Sequence, residues 1–317
     1  MHRQNRTLLA LAPLLPPEMD QLEAAFDVVR LYRESDPEKA LQMVKNSVVA
    51  IVSTHSTPVR RSLMEALPNL EIISQYAVGT DNIDLPAAAA RGIVVSNTPD
   101  VLTDDTADIA VSLVLALSRR IVEADAFVRV GKWGSGTMPL GTSPKGKTAG
   151  IVGLGRIGRA IAKRLVGFDM RVAYTGRAQK PDVSYAYYPD IAALADASDY
   201  LILSCSGGPE TYQIVGEQVL KALGPRGYLV NVARGSVVDE EALLNALVNR
   251  QIAGAGLDVY AQEPTVPDAF KSMDNIVLLP HIGSATLETR TIMGEIVIAN
   301  LQAHFAGRPL LTPVKAA

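Results

Sequence analysis

The chain has 317 residues, 48% hydrophobic and 20% charged, which is enough for two cores and ordinary for a soluble globular protein. With 30 basic residues against 33 acidic ones, the net charge of -3 gives no basic footprint for nucleic acid or an anionic membrane. The single cysteine, Cys205, excludes an intrachain disulfide framework and a thiolate zinc cluster, and it suits a reducing cytoplasm.

The opening "MHRQNRTLLALAPLLPPEMD" has the basic-then-apolar order of a secretory signal. Pro13, Pro16 and Pro17 interrupt it, no small-x-small site follows, and a first strand entering a helix at Pro17 is the better reading. No apolar run approaches the ~20 residues of a membrane span. Strands are expected at "TLLALAP", "DVVRLY", "SVVAIVS", "EIISQYAV" and "GIVVSN", with helices at "PPEMDQLEAAF", "DPEKALQMV" and "TPVRRSLMEALP". Strands interleaved with helices predict a small parallel sheet covered by helices.

"TDDTADIAVSLVLALSRRIVEADAFVRVGKW" then reads as one long helix, opened by Thr103 and first-turn acids. About 28 helical residues would span about 40 Å. Its first half is apolar nearly all round, which predicts burial between domains or subunits. From Thr148 a second series follows, with strands expected at "TAGIVGL", "RVAYTG", "YLILSC", "YLVNVA", "IAGAGLDV" and "NIVLLP". Six strands in this rhythm fit a dinucleotide-binding sheet, and a final helix begins near "TLETRT". The expected fold is α/β: two Rossmann- or flavodoxin-like doubly wound parallel-sheet domains joined by long helices. Residues 1–99 with 287–317 form the substrate domain, and residues 100–286 form the dinucleotide-binding domain.

Within "AGIVGLGRIGRAIAKRL", Gly153, Gly155 and Gly158 have the G-x-G-x-x-G spacing between an apolar strand and an amphipathic helix. That pattern permits a tight turn, backbone approach to a pyrophosphate and close helix packing, with the helix N–H groups facing the anion. An NAD site commonly has an acid about 20 residues on. Here the second strand ends "VAYTGRAQK", and Arg177 and Lys180 lie where a ribose 2′-phosphate would be. NADP is therefore favoured over NAD.

Three further strand ends carry chemistry: Arg234 after "YLVNVA", Asp258 and Glu263 in "GLDVYAQEP", and His281 in "NIVLLPHIGSAT". A cation, a carboxylate and an imidazole at neighbouring carboxyl ends of a nucleotide-binding sheet suit reduction of a 2-oxo acid. Arg234 can grip a planar carboxylate with two parallel contacts. Imidazoles as a class exchange protons readily, so His281 can protonate the developing alkoxide, with Glu263 beside it to orient the ring. The expected cofactor-lining set is Gly153, Leu154, Gly155, Arg156, Ile157 and Gly158; Gly176, Arg177, Ala178 and Lys180; Cys205 and Ser206; Val232; Asp258; and Gly283 and Ser284. No resident metal is expected. His55, after the strand "AIVS", reads as a turn residue near the pocket, whereas His2 and His304 have no comparable setting.

"GLGRIG", "NVARGSVVDE", "GLDVYAQEP" and "LLPHIGSAT" resemble the motifs of the D-2-hydroxyacid dehydrogenases. The resemblance covers nearly the whole chain and is greatest to the NADPH-preferring glyoxylate and hydroxypyruvate reductases, hydroxyphenylpyruvate reductases among them. It implies that Arg234 binds and activates substrate and that Glu263 and His281 form the acid/base pair. It also implies that the backbone of Val78 and Gly79 meets the substrate carboxylate, that the active site lies in the cleft between domains, and that a homodimer forms around the long helix. Two stretches depart from the family pattern: "GGPET" after Ser206, which suggests a more flexible loop, and the glycine-rich "GKWGSGTMPLG" around Trp133. Two alternatives remain at this stage, a nucleotide-sensing corepressor of the same fold and an NAD-dependent phosphoglycerate-type dehydrogenase.

Overall fold

The computed structural model describes residues 6–315, so His2 and the start of the signal-like opening lie outside it. The chain divides into two compact units, one ending at Leu102 and resumed from Thr286, the other Thr103–Ala285.

The first unit alternates β1 (Thr7–Ala10), α1 (Pro16–Ala25), β2 (Asp27–Arg30), α2 (Pro37–Val44), β3 (Val48–Ser53), α3 (Arg61–Ala66), β4 (Ile72–Gln75), α4 (Leu85–Ala90) and β5 (Val94–Ser96). Its sheet runs β2-β1-β3-β4-β5, every neighbour parallel, which is the flavodoxin-like order. Helices on both faces explain why "VVAIVS" is a nearly continuous apolar run rather than an alternating one. One core cluster joins Leu9, Ile51 and Ile73 of the strands to Met64 and Leu67 beside α3 and Ala87 and Ala88 of α4. The sequence reading had no helix at α4. Six residues are too few for a helical period, although its start is marked by Asp84, whose side chain accepts the N–H of Ala87.

The second unit begins with α5 (Thr103–Arg119) and α6 (Ile121–Arg129). It continues β6 (Thr148–Val152), α7 (Arg156–Val166), β7 (Arg171–Thr175), β8 (Ala186–Tyr187), α8 (Ile191–Asp196), β9 (Tyr200–Leu203), α9 (Glu217–Leu223), β10 (Tyr228–Asn231), α10 (Glu240–Val248), β11 (Gly254–Leu257), α11 (Asp268–Lys271) and β12 (Ile276–Leu278). The parallel sheet runs β12-β11-β10-β9-β6-β7-β8, so it has seven strands where the sequence suggested six. The extra strand is a two-residue edge pairing with β7, below the length at which a pattern is readable. Strand order reverses between β6 and β9, and in open α/β sheets ligands bind at that switch point.

The expected single helix of about 28 residues is two helices. Arg120 separates them in a left-handed conformation at φ 53°. The cause comes from a distant segment: the carbonyl of Ser118 accepts the N–H of Thr142 at 2.7 Å. Gly141 packs there so closely that a Cβ would lie 2.4 Å from that oxygen. The burial of α5 also differs from the expectation. Ala107, Ala110, Val111, Leu113, Val114 and Leu117 form a stripe covered by α7 and strands β10, β11 and β12 of the same unit. Each fully buried aliphatic there contributes about 1.5–3 kcal/mol. By contrast, α6 has no buried residue.

The last helix, α12 (Leu287–Phe305), is capped by Thr286 and belongs to the first unit, packing on α1 and β4. His304, on its last turn, lies 3.0 Å from Glu71, which precedes β4. No described helix is long and apolar enough to cross a membrane.

Candidate functional site

The glycine turn after β6 is shaped as its spacing predicted. Gly153 adopts φ 95°, and a Cβ there would lie 2.8 Å from the backbone of Cys205, at the start of the loop after β9. Gly158 brings α7 against the turn, since its Cβ would be 2.2 Å from the Gly153 carbonyl. At Gly155, the N-cap of α7, a Cβ would meet only open space, and no side chain caps the helix. With no side-chain cap, the α7 N-terminus presents its helix dipole to that space, and the residues present fit a dinucleotide. Leu154 is buried beneath the turn. Burial pushes the Cys205 thiol up to about 11, so at neutral pH it is an uncharged wall rather than a nucleophile. The segment after Ser206 forms a short 3-10 turn, Pro209–Thr211, with the Thr211 hydroxyl donating to the Ser206 carbonyl at 2.7 Å.

Beyond β7, Gly176, Arg177, Ala178 and Lys180 lie in an exposed loop. No acid occupies the end of β7. The next acid, Asp182, is held bidentately by Arg159 of α7 at 2.8 and 3.0 Å, which draws its carboxyl below the usual range.

Three adjacent strands deliver the reacting groups. After β10, Val232 is buried and Arg234 opens a 3-10 turn, Gly235–Val237. The loop is fixed by Asn231, whose side chain donates to the Arg234 carbonyl at 2.9 Å and accepts the N–H of Ala233 at 3.0 Å. Sequence reasoning passed over Asn231. Its signal was a polar residue closing the buried apolar strand "YLVN".

After β11, Asp258 is 1% exposed and accepts the N–H groups of Ile282 and Gly283 at 2.7 and 2.8 Å. Burial raises its carboxyl pKa, opposed by those two donors and by the nearby imidazole of His281. Asp258 thus braces the loop that carries His281, a role not read from the sequence. Further along, Glu263 accepts the N–H of Tyr260 at 3.0 Å through Oε1, while Oε2 lies 2.7 Å from Nδ1 of His281. Burial pushes the Tyr260 phenol up to about 12, and its hydroxyl donates to the Leu279 carbonyl at 2.9 Å.

After β12, His281 sits at φ 55°, an unusual conformation for a residue with a Cβ. The Thr106 hydroxyl of α5 donates to the Gly283 carbonyl at 3.1 Å, and Ser284 follows, half-buried. A carboxylate can only accept, so the 2.7 Å contact puts a hydrogen on Nδ1.

In the first unit, Val78 and Gly79 follow β4. The carbonyls of Ala77, Val78 and Gly79 are taken inward by Thr98 N–H (3.0 Å), the Asn97 side chain (2.8 Å) and the Gln75 side chain (3.1 Å). These three contacts fix the backbone of the loop. His55 lies in the turn after β3, as read.

Comparison with known proteins agrees with this arrangement. Residues 111–283 match the model of the D-isomer specific 2-hydroxyacid dehydrogenase NAD-binding domain. The chain is 46% identical to glyoxylate/hydroxypyruvate reductase A of Arabidopsis thaliana, over 97% of this chain and 98% of that one. It is 44% identical to hydroxyphenylpyruvate reductase of Plectranthus scutellarioides over the same shares. A solved NADPH-dependent glyoxylate/hydroxypyruvate reductase from Sinorhizobium meliloti, in complex with NADP and malonate, superposes with a TM-score of 0.90 at 41% identity, covering 99% of this chain and 98% of that one. The glycine turn at a strand-order switch and the imidazole–carboxylate pair on the same sheet are thus those of an oxidoreductase, and the chain belongs to the D-isomer specific 2-hydroxyacid dehydrogenase family.

Proposed function

We propose that the protein reduces a small 2-oxo acid, with glyoxylate and hydroxypyruvate first and hydroxyphenylpyruvate next, to the D-2-hydroxy acid at the expense of NADPH. The observation that carries this reading is the 2.7 Å contact between Glu263 and Nδ1 of His281. NADPH, when bound, supplies the hydride. Arg234 grips the substrate carboxylate and holds the adjacent carbonyl, and the backbone of Val78 and Gly79 meets the same carboxylate. As charge grows on the carbonyl oxygen, Nε2 of His281 delivers its proton there. Glu263 stabilises the protonated ring beforehand and keeps its tautomer afterwards. Loss of NADPH absorbance with a panel of 2-oxo acids tests the proposal. Tight NADPH binding without turnover of any panel member would instead support a nucleotide sensor.

The NADPH preference is supported by Arg177 and Lys180 in the exposed loop after β7 and by the absence of an acid at that strand end. Changing Arg177→Ser together with Lys180→Ala is expected to reduce discrimination against NADH by about 1–3 kcal/mol, read from kcat/KM with both nucleotides. Unchanged discrimination would place the 2′-phosphate elsewhere.

We also propose a homodimer. Ile121, Val122, Val128, Val130, Trp133 and Leu140 are all exposed within one short segment, and two of them, Trp133 and Leu140, are 75% and 95% exposed. Such a cluster of apolar side chains favours a protein partner. Sedimentation equilibrium at micromolar concentration should give twice the 33.8 kDa chain mass, and a monomer mass would exclude the dimer. A cytoplasmic location is proposed from the single cysteine, which suits a reducing compartment, and is checked by cell fractionation.

A further inference from the structure

The loop after β7 has no core of its own, because residues 176–182 are all exposed. It is nevertheless tied at three points. The buried Tyr174 hydroxyl of β7 accepts the N–H of Lys180 at 2.6 Å. The Tyr187 hydroxyl of β8 donates to the Gly176 carbonyl at 3.2 Å. The two rings pack together, centroids 5.3 Å apart, so both hydroxyls stand on the edge of the sheet rather than on mobile chain. The third tie is the Arg159–Asp182 pair, which anchors the far end of the loop to α7, the helix whose N-terminus closes the glycine turn.

We propose that this loop is a preformed clamp for the ribose 2′-phosphate, and that Tyr174, Tyr187 and the Arg159–Asp182 pair are positioning residues that set nucleotide selectivity. Two effects support it. An exposed segment that must order on binding forfeits affinity, and the tyrosine ties meet that ordering cost during folding. Electrostatics act in the same direction, since Asp182 is the acid nearest in sequence to Arg177 and Lys180 and would repel a phosphate dianion if loose. Paired with Arg159, its charge is neutralised and its position fixed. The two-residue strand β8 then has a purpose, because it carries Tyr187. The inference rests on the NADPH reading above.

The test compares dissociation constants of NADPH and NADH, with adenosine 2′-phosphate against adenosine 5′-phosphate as fragment probes. A Tyr174→Phe, Tyr187→Phe double variant keeps both rings. It is expected to bind NADPH and adenosine 2′-phosphate about 5–20-fold more weakly while NADH shifts by less than about threefold. If the double variant fails to fold, Arg159→Gln decides by the same ratio, since it leaves Asp182 charged and untied and the Arg159 side chain is 37% exposed. A discriminating wild type whose ratio is unmoved in the folded variants overturns the inference alone. A wild type that binds NADPH and NADH equally overturns the NADPH reading and the inference with it.

Discussion

His281→Ala is expected to lower kcat/KM for a 2-oxo acid by about 10²–10⁴-fold, the contribution of one positioned acid, with the NADPH dissociation constant staying within about threefold of wild type. That loss corresponds to about 3–5 kcal/mol of transition-state stabilisation. The split follows from geometry. His281 is tied through Nδ1 to Glu263, whereas the glycine turn that faces the nucleotide is built from β6, α7 and the Cys205 backbone. Glu263→Gln retains the acceptor for the Tyr260 N–H but loses the charge, so its effect on kcat should fall between wild type and His281→Ala. Stopped-flow hydride transfer and nucleotide titration separate the two quantities. A fully active His281→Ala protein would remove His281 from the proton-donor role.

Gly235→Ala is expected to be the most damaging single methyl in the site. A Cβ on Gly235 would lie 1.8 Å from the Tyr260 carbonyl carbon and 2.2 Å from the Ala261 nitrogen, so backbone rather than a flexible side chain must move. The expected cost is about 3 kcal/mol in stability, seen as a lowered Tm. A displaced Arg234 should also cost about 10²-fold in kcat/KM, because Arg234 and the Tyr260–Glu263 segment are held together at this contact. Gly134→Ala makes the same chemical change where a Cβ meets nothing within 4 Å, and it serves as the control. Equal Tm and activity in the two variants would show that the 235–260 contact relaxes freely.

Both sheets, the glycine turn and the adjacent strand ends carrying Arg234, Asp258 and His281 were legible, because each is written locally: an apolar run, then Gly or Pro, then a reactive residue. The Glu263–His281 contact was legible for the same reason, since β11 and β12 are neighbours. The sequence misled where the cause is remote. Arg120 interrupts α5 and α6 because Thr142, far along the chain, takes the Ser118 carbonyl, and no local signal in "LALSRRIVEA" announces that. What Asp258 holds was not readable, because its two N–H donors lie 24 and 25 positions away. Asn97 and Gln75, which take the Val78 and Gly79 carbonyls, were hidden in the same way. Hydrophobic periodicity reports which face of an element is buried, but not which carbonyl a distant amide will reach.

The left-handed residue between α5 and α6 marks where burial stops along this stretch. The buried stripe of this stretch sits on the α5 side of Arg120, while α6 and the Trp133 turn contribute no buried residue. One left-handed residue thus separates a core element from a surface arm, and substitution of the exposed Ile121, Val122, Val128 or Val130 is expected to leave the unit's Tm nearly unchanged. Core packing and the exposed apolar surface are therefore written on separate stretches of chain, so the second can be altered without rebuilding the first.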